Sequence, residues 1–180
     1  MKKYDCIFLD RDGTLNPDPG YISNISDYNF YDFTLPALKM MSKNNNRFCI
    51  ISNQSGVSRR LISIKNLNTI NNFIKEEFNK NCIPLIGIYM CFDHPNSASI
   101  RRKPGPGMFL EAKKEHNLKL SNCLMVGDSI KDMKAGEHLG METMLVLTGE
   151  GNKTFKNLRD SKFISYCANN IYEGFEKLCH

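Results

Sequence analysis

Two aspartates, Asp10 and Asp12, stand two residues apart behind the apolar run Ile7-Phe8-Leu9 and are followed by Gly13 and Thr14. Carboxylates brought that close repel, and an isolated pair pushes one pKa up. A divalent cation relieves the repulsion, and hard Mg²⁺ takes carboxylate, carbonyl and water oxygens, with only one or two carboxylates from the protein. Gly13 supplies a permissive turn, and Thr14 adds a hydroxyl. A third carboxylate, Asp128, follows another apolar run, Cys123–Gly127, and is the obvious additional ligand. By itself Asp-x-Asp-Gly also suits an ordinary turn or a calcium loop.

The elements that must position these residues are legible as short apolar runs alternating with helical patterns. Strands are expected at Tyr4–Leu9, Phe48–Ser52, Leu85–Cys91, Cys123–Gly127 and Thr143–Leu147, with a weaker one at Lys162–Tyr166. Most are continuously apolar, as strands covered on both faces are. Helices are expected at about Thr34–Lys43, Ser63–Asn79, Gly107–Asn117, Ile130–Leu139 and Ile171–Leu178. Pro104 and Pro106 suit the entry to the third of these, and Asn16–Phe33 reads as an ordered loop or small flap. Strands alternating with helices imply βαβ units, hence an α/β, Rossmann-like three-layer fold with a central parallel sheet. Ligands bind such sheets beyond the carboxyl ends of the strands. The polar motifs do follow the strands: Asp10–Thr14 after the first, Ser52-Asn53-Gln54 after the second, Arg102-Lys103-Pro104 at the end of the loop after the third, and Asp128-Ser129 after the fourth. They should therefore converge on one edge.

The chain of 180 residues suits one domain, 1–180, and no linker or internal repeat divides it. A formal charge of +5 favours anionic substrates in general. No RNA-binding motif or aromatic-studded basic stripe points to a nucleic-acid partner. No apolar stretch is long enough for a signal core or a membrane span, so a cytoplasmic protein with no membrane partner is expected. The seven cysteines are odd in number and several sit inside apolar runs, as in Phe48-Cys49-Ile50-Ile51; buried thiols are expected.

The string Ile7-Phe8-Leu9-Asp10-Arg11-Asp12-Gly13-Thr14-Leu15-Asn16 resembles the first motif of the haloacid dehalogenase-like phosphatases. Ser52 stands at the hydroxyl position of the second motif, Lys103 at the cation of the third, and Val126-Gly127-Asp128-Ser129 with Asp132-Met133 at the fourth. The resemblance implies that Asp10 is a covalent nucleophile and Asp12 the general acid and base. It further implies that Asp10, Asp128 and the backbone carbonyl of Asp12 hold Mg²⁺, and that Ser52 and Lys103 bind the transferring phosphoryl oxygens. Asn53 joins that binding set. Thr14 and Asp132 are supporting residues, and Asp132 more readily orients Lys103 or a metal-bound water than ligates metal directly. The gaps where members of this superfamily carry cap domains hold too little chain for one, so no cap domain is expected.

A closer resemblance covers nearly the whole chain. Gly20-Tyr21, Ser52-Asn53-Gln54-Ser55-Gly56-Val57 and Arg102-Lys103-Pro104-x-Pro106-Gly107-Met108 look like the heptose 1,7-bisphosphate 7-phosphatases, which serve nucleotide-activated heptose and surface-glycan synthesis. Histidinol-phosphate phosphatases share much of this and are the first alternative. A nucleic-acid 3′-phosphatase and a catalytically silent Mg²⁺/phosphate-binding protein rank below them. The implied partner is a small phosphorylated sugar as substrate, and a monomer is the default expectation. Many members of the heptose branch carry a zinc loop, but here Cys91 alone keeps its ligand. Asp93 occupies the histidine position, and Ser99 and Arg101 stand where the later cysteine pair belongs. A structural zinc needs four ligands, so none is expected. The replacement is basic: Arg102, Arg101 and Arg59 are candidates to grip a second, non-reacting phosphate.

Overall fold

The computed structural model describes residues 2–158 and 162–179. Its strands are β1 (Cys6–Leu9), β2 (Phe48–Asn53), β3 (Leu85–Cys91), β4 (Cys123–Gly127), β5 (Glu142–Val146) and β6 (Tyr166–Ala168). Its helices are α1 (Thr34–Ser42), α2 (Ile64–Lys80), α3 (Gly107–His116), α4 (Ile130–His138), α5 (Gly151–Leu158) and α6 (Ile171–Cys179). The strands form one sheet, ordered β3-β2-β1-β4-β5-β6, and every pairing is parallel. The chain runs outward from β1 through β2 to β3, then returns to place β4 on the other side of β1. That reversal opens a crevice at the carboxyl ends of β1 and β4.

Successive residues of a strand leave the sheet on opposite faces. Ile7, Leu9, Phe48, Ile50, Leu124 and Val126 accordingly pack under α1, α2 and α6. Cys6, Phe8, Cys49, Ile51 and Met125 meet α3 and α4 on the other side. Two apolar faces, each covered by helices, explain why the strands read as continuous rather than alternating runs. Phe8 meets Phe109 edge to face at 5.1 Å, and burying one such side chain contributes about 1.5–3 kcal/mol. Cys6, Cys49, Cys91 and Cys123 are buried, Cys167 and Cys179 lie part-way, and Cys82 is exposed.

Most expected boundaries hold to within a residue or two, and the exceptions have local causes. Tyr4 stays outside β1 because Asn46 Oδ1, not a neighbouring strand, accepts its N–H at 2.7 Å. Ser63 caps α2, accepting from the Asn66 N–H at 3.1 Å. Asn117 ends α3 in the left-handed conformation, φ 51°. The sixth strand occupies Tyr166–Ala168 rather than Lys162–Tyr166, since the Thr143 hydroxyl donates to the Phe163 carbonyl at 2.7 Å and holds that stretch as a turn. Helix α5 is not foreseen from the sequence. Its buried stripe is Gly151, Thr154 and Leu158, and its short span carries only two large apolar side chains, Phe155 and Leu158, too few to stand out as a helical pattern.

Between β1 and α1 there is only a loop with a 3-10 turn at Ile25–Asp27. Ile22 and Tyr28 anchor this flap in the core, and Thr34 Oγ1 donates to the Leu15 carbonyl at 2.8 Å. No cap domain is present among the described residues. None of their helices is long and apolar enough to cross a membrane.

Candidate active site

Strand β1 ends at Leu9 and β4 at Gly127, so Asp10 and Asp128 are the first residues beyond two adjacent strands. The Asp10 N–H donates to the Val126 carbonyl at 2.9 Å, which carries the ladder one residue beyond the strand. Carboxylate oxygens of Asp10, Asp128 and Asp132 lie within 4.8 Å of one another. Lys103 enters from the β3–α3 loop, almost fully buried. Its Nζ sits 2.7 Å from Asp10 Oδ1 and 2.6 Å from Asp132 Oδ1, and donates to the Ile51 carbonyl. The Asn53 side chain fixes the Lys103 backbone, accepting its N–H and donating to its carbonyl at 3.0 and 3.1 Å.

Burial, reinforced by Asp132 and Asp12, raises Asp10 to about 7 even though Lys103 pulls the other way. Burial with Asp10 and Asp132 nearby raises Asp128 to about 8. Burial would lower Lys103, but attraction to Asp10 and Asp132 outweighs it and keeps the ammonium charged. One ammonium facing three carboxylates leaves negative charge in excess. A hard, oxygen-only donor set with that excess fits Mg²⁺.

Backbone closes tightly around Asp128. Gly13 has φ +81°, and a Cβ there would lie 2.2 Å from Asp128 Oδ2. A Cβ on Gly149, φ +52°, would lie 2.1 Å from the same oxygen. Both positions therefore need glycine, for conformation and for space. The Glu150 N–H donates to Asp128 Oδ2 at 2.7 Å, and Thr148 Oγ1 donates to the Gly13 carbonyl at 2.6 Å.

Asp12 is treated differently. Arg11 forks onto it, Nε to Oδ1 at 2.9 Å and Nη2 to Oδ2 at 2.7 Å. Asn16 Nδ2 donates to Oδ1 at 2.9 Å and Gln54 Nε2 to Oδ2 at 2.7 Å. Burial would raise Asp12, but Arg11, Asn16 and Gln54 together hold it below its ordinary value. Gln54 Nε2 also donates to Ser52 Oγ at 2.9 Å. Asp10, Asp12, Ser52, Lys103 and Asp128 all open onto one cavity of about 310 Å³ at the sheet's carboxyl edge.

A family model described as HAD-hydrolase-like matches residues 100–173. The chain is 35% identical over 149 residues to the D-glycero-beta-D-manno-heptose-1,7-bisphosphate 7-phosphatase of Helicobacter pylori strain J99, covering 82% of this chain and 86% of the relative. It is 36% identical over 157 residues to the Pasteurella multocida protein of the same name, covering 83% and 84%. The chain belongs to the heptose 1,7-bisphosphate phosphatases of the haloacid dehalogenase-like superfamily. A solved structure from B. bronchiseptica, D,D-heptose 1.7-bisphosphate phosphatase complexed with magnesium and phosphate, superposes with a TM-score of 0.89 at 27% identity. That match covers 99% of this chain and 98% of the other.

Within this family frame, the sequence-based candidates divide. Asp10, Asp12, Ser52, Asn53, Arg102, Lys103 and Asp128 all line the cavity. Asp132 lies behind it, bound to Lys103 and accepting from the Ser129 N–H and hydroxyl as the helix-α4 capping box. The Thr14 hydroxyl is buried and faces no polar partner. Arg59 is exposed and lies outside the cavity lining. Arg101 turns away to pair with Glu111 through two nitrogens at 2.7 Å. In the β3–α3 loop, Asp93 Oδ2 accepts the Ser99 N–H and the Asp93 carbonyl accepts from Arg102 Nη1. Cys91 is buried with the apolar cluster under α3.

Sequence reasoning missed Arg11, Asn16 and Gln54 as partners of Asp12, and the Thr148–Glu150 turn that encloses Asp128. Arg11 carried a signal, a cation placed between the two aspartates of the motif. The turn after β5 carried none.

Proposed function

We propose that this chain hydrolyses the 7-phosphate of D-glycero-β-D-manno-heptose 1,7-bisphosphate, in nucleotide-activated heptose synthesis, through an aspartyl-phosphate on Asp10. The observation that carries this reading is the extent of the likeness: relatives bearing that name match at 35–36% identity over more than four fifths of both chains. The cavity, at the small end of the range for ligand pockets, suits a monosaccharide bisphosphate.

In the first step an Asp10 carboxylate oxygen bonds to phosphorus as the bond between phosphorus and the sugar's ester oxygen breaks, and protonated Asp12 gives that leaving oxygen its proton. In the second, a water oxygen bonds to phosphorus, the bond to Asp10 breaks, and Asp12 receives the water's proton. Lys103 and Ser52 hold the equatorial phosphoryl oxygens, where charge is carried in the transition state. Asp10, Asp128 and the backbone carbonyl of Asp12 would hold Mg²⁺, which would supply Lewis-acid neutralisation of phosphoryl charge. Arg102, already anchored to the loop carbonyl of Asp93, faces the cavity for the second phosphate.

The reading takes residues 1–180 as one domain, working as a cytoplasmic monomer without nucleic acid and without structural zinc. Cys91 and His94 offer at most two soft ligands, and His94 Nδ1 already accepts the Asn96 N–H. Phosphate release from the β-heptose bisphosphate, histidinol phosphate and a 3′-phosphorylated oligonucleotide tests the substrate. The heptose compound should win on kcat/KM, and preference for histidinol phosphate would overturn the assignment. One zinc per chain by elemental analysis would overturn the zinc-free loop.

A further inference from the structure

We propose that Arg11 is a positioning residue that separates the roles of the two motif aspartates, holding Asp12 out of the carboxylate cluster as the acid and base. The inference rests on the phosphatase reading above and goes beyond it, because Arg11 touches neither the cavity nor any phosphoryl site.

Arg11 is 1% exposed and ranks among the largest fully buried side chains of the protein. Burying a guanidinium is costly unless it is paired in good geometry. Here the pairing is a two-bond fork onto Asp12, with the guanidinium carbon 5.8 Å from the centre of the buried Tyr28 ring. Tyr28 in turn belongs to the core of the flap between β1 and α1. Asn16 and Gln54 complete the set, so each Asp12 oxygen accepts two hydrogen bonds. The effect is directional. Asp12, two residues from Asp10, is absent from the Asp10–Asp128–Asp132 group, while its carboxylate still reaches the cavity. Gln54 spans from Asp12 to Ser52, which ties the acid/base group to the hydroxyl that binds the phosphoryl oxygen. A carboxylate free to rotate into the metal cluster would lose both its reach to the leaving oxygen and its distinction from Asp10.

The test uses R11K, which keeps the charge but cannot fork, and Q54L, which removes one donor. Two substrates divide the outcomes: an alkyl phosphate such as the heptose bisphosphate, and p-nitrophenyl phosphate, whose phenolate leaves without a proton. With R11K we expect kcat on the alkyl phosphate to fall about a hundredfold, the low end of what acid–base catalysis supplies. The aryl substrate should instead give a burst of p-nitrophenol and an accumulated phosphoenzyme, because only the water-activating step is slowed. Q54L should show the same split at roughly tenfold, the scale of one hydrogen bond; it decides alone if R11K fails to fold. Equal losses on both substrates without a burst, or near-parental activity in both variants, overturns the positioning role. Turnover retained in D10N overturns the underlying nucleophile assignment, a separate and distinguishable failure.

Discussion

Strand β1 carries a carboxylate just outside each end, Asp5 and Asp10, and the two ends have opposite electrostatics. At the amino edge of the sheet every such group is satisfied. Asp5 accepts from the Lys119 N–H at 3.0 Å and from Asn122 Nδ2 at 2.7 Å, which hold it below its ordinary value. Glu142, opening β5, is pushed up by burial, yet Lys2 and the Tyr4 hydroxyl outweigh that and keep it low. At the carboxyl edge Asp10, Asp128 and Asp132 crowd around one lysine, and burial raises the first two. The same residue types close the fold at one edge and hold unrelieved charge at the other. The unrelieved edge is where a cation and a phosphate have something to gain.

The sharpest break in this contrast is D10N. Phosphate release should fall on the order of 10⁴-fold or more, as expected when a covalent nucleophile is lost. The metal-free variant should nonetheless melt no lower than the parent, because a crowded charge has been removed. Activity close to the parent's would mean the carboxyl edge is not the reacting one.

Next in size is K103M. Removing this buried cation leaves its carboxylates unpaired, and losing one partner of such a pair costs about 3–5 kcal/mol. Denaturant unfolding without metal should register that loss, and added Mg²⁺ should recover part of it. No loss without metal would remove Lys103 from the centre of the cluster.

The third concerns pH. Asp10 and Asp128 have folded-state values raised above their unfolded ones, so the folded protein binds more protons between the ordinary carboxylate range and about 7 to 8. Stability from these groups is therefore present at low pH and is lost as pH rises through that window. Mg²⁺ should cancel the loss by binding the ionised forms. The melting-temperature gap between Mg²⁺-saturated and chelated protein should widen from pH 5 to 8; a gap independent of pH would contradict the raised values.

The smallest effect belongs to the amino edge. E142Q weakens a part-exposed ion pair with Lys2 and should cost at most about 1 kcal/mol, with kcat unchanged. A change in kcat there would erase the division between the two edges.

Much of this is legible in the sequence, and unevenly so. The parallel sheet and the convergence of Asp10, Ser52, Lys103 and Asp128 follow from polar residues placed just after apolar runs, a local signal. Helix α5 escaped because its short span carries only two large apolar side chains, Phe155 and Leu158. The fates of Arg59 and Arg101 escaped for another reason: a basic residue beside a motif can face the cavity, solvent or Glu111, and sequence position does not choose among them.

By itself, the sequence determined which residue types arrive at the carboxyl edge, because strand and helix periodicities fix where each run ends. Only the tertiary structure decided what Asp10 and Asp12 become. Their environments are set by Lys103, Gln54 and Asp128, brought from 42 to 118 positions away along the chain. Electrostatic character depends on burial and on distances of a few ångströms, and those exist only once β1, β2 and β4 lie side by side.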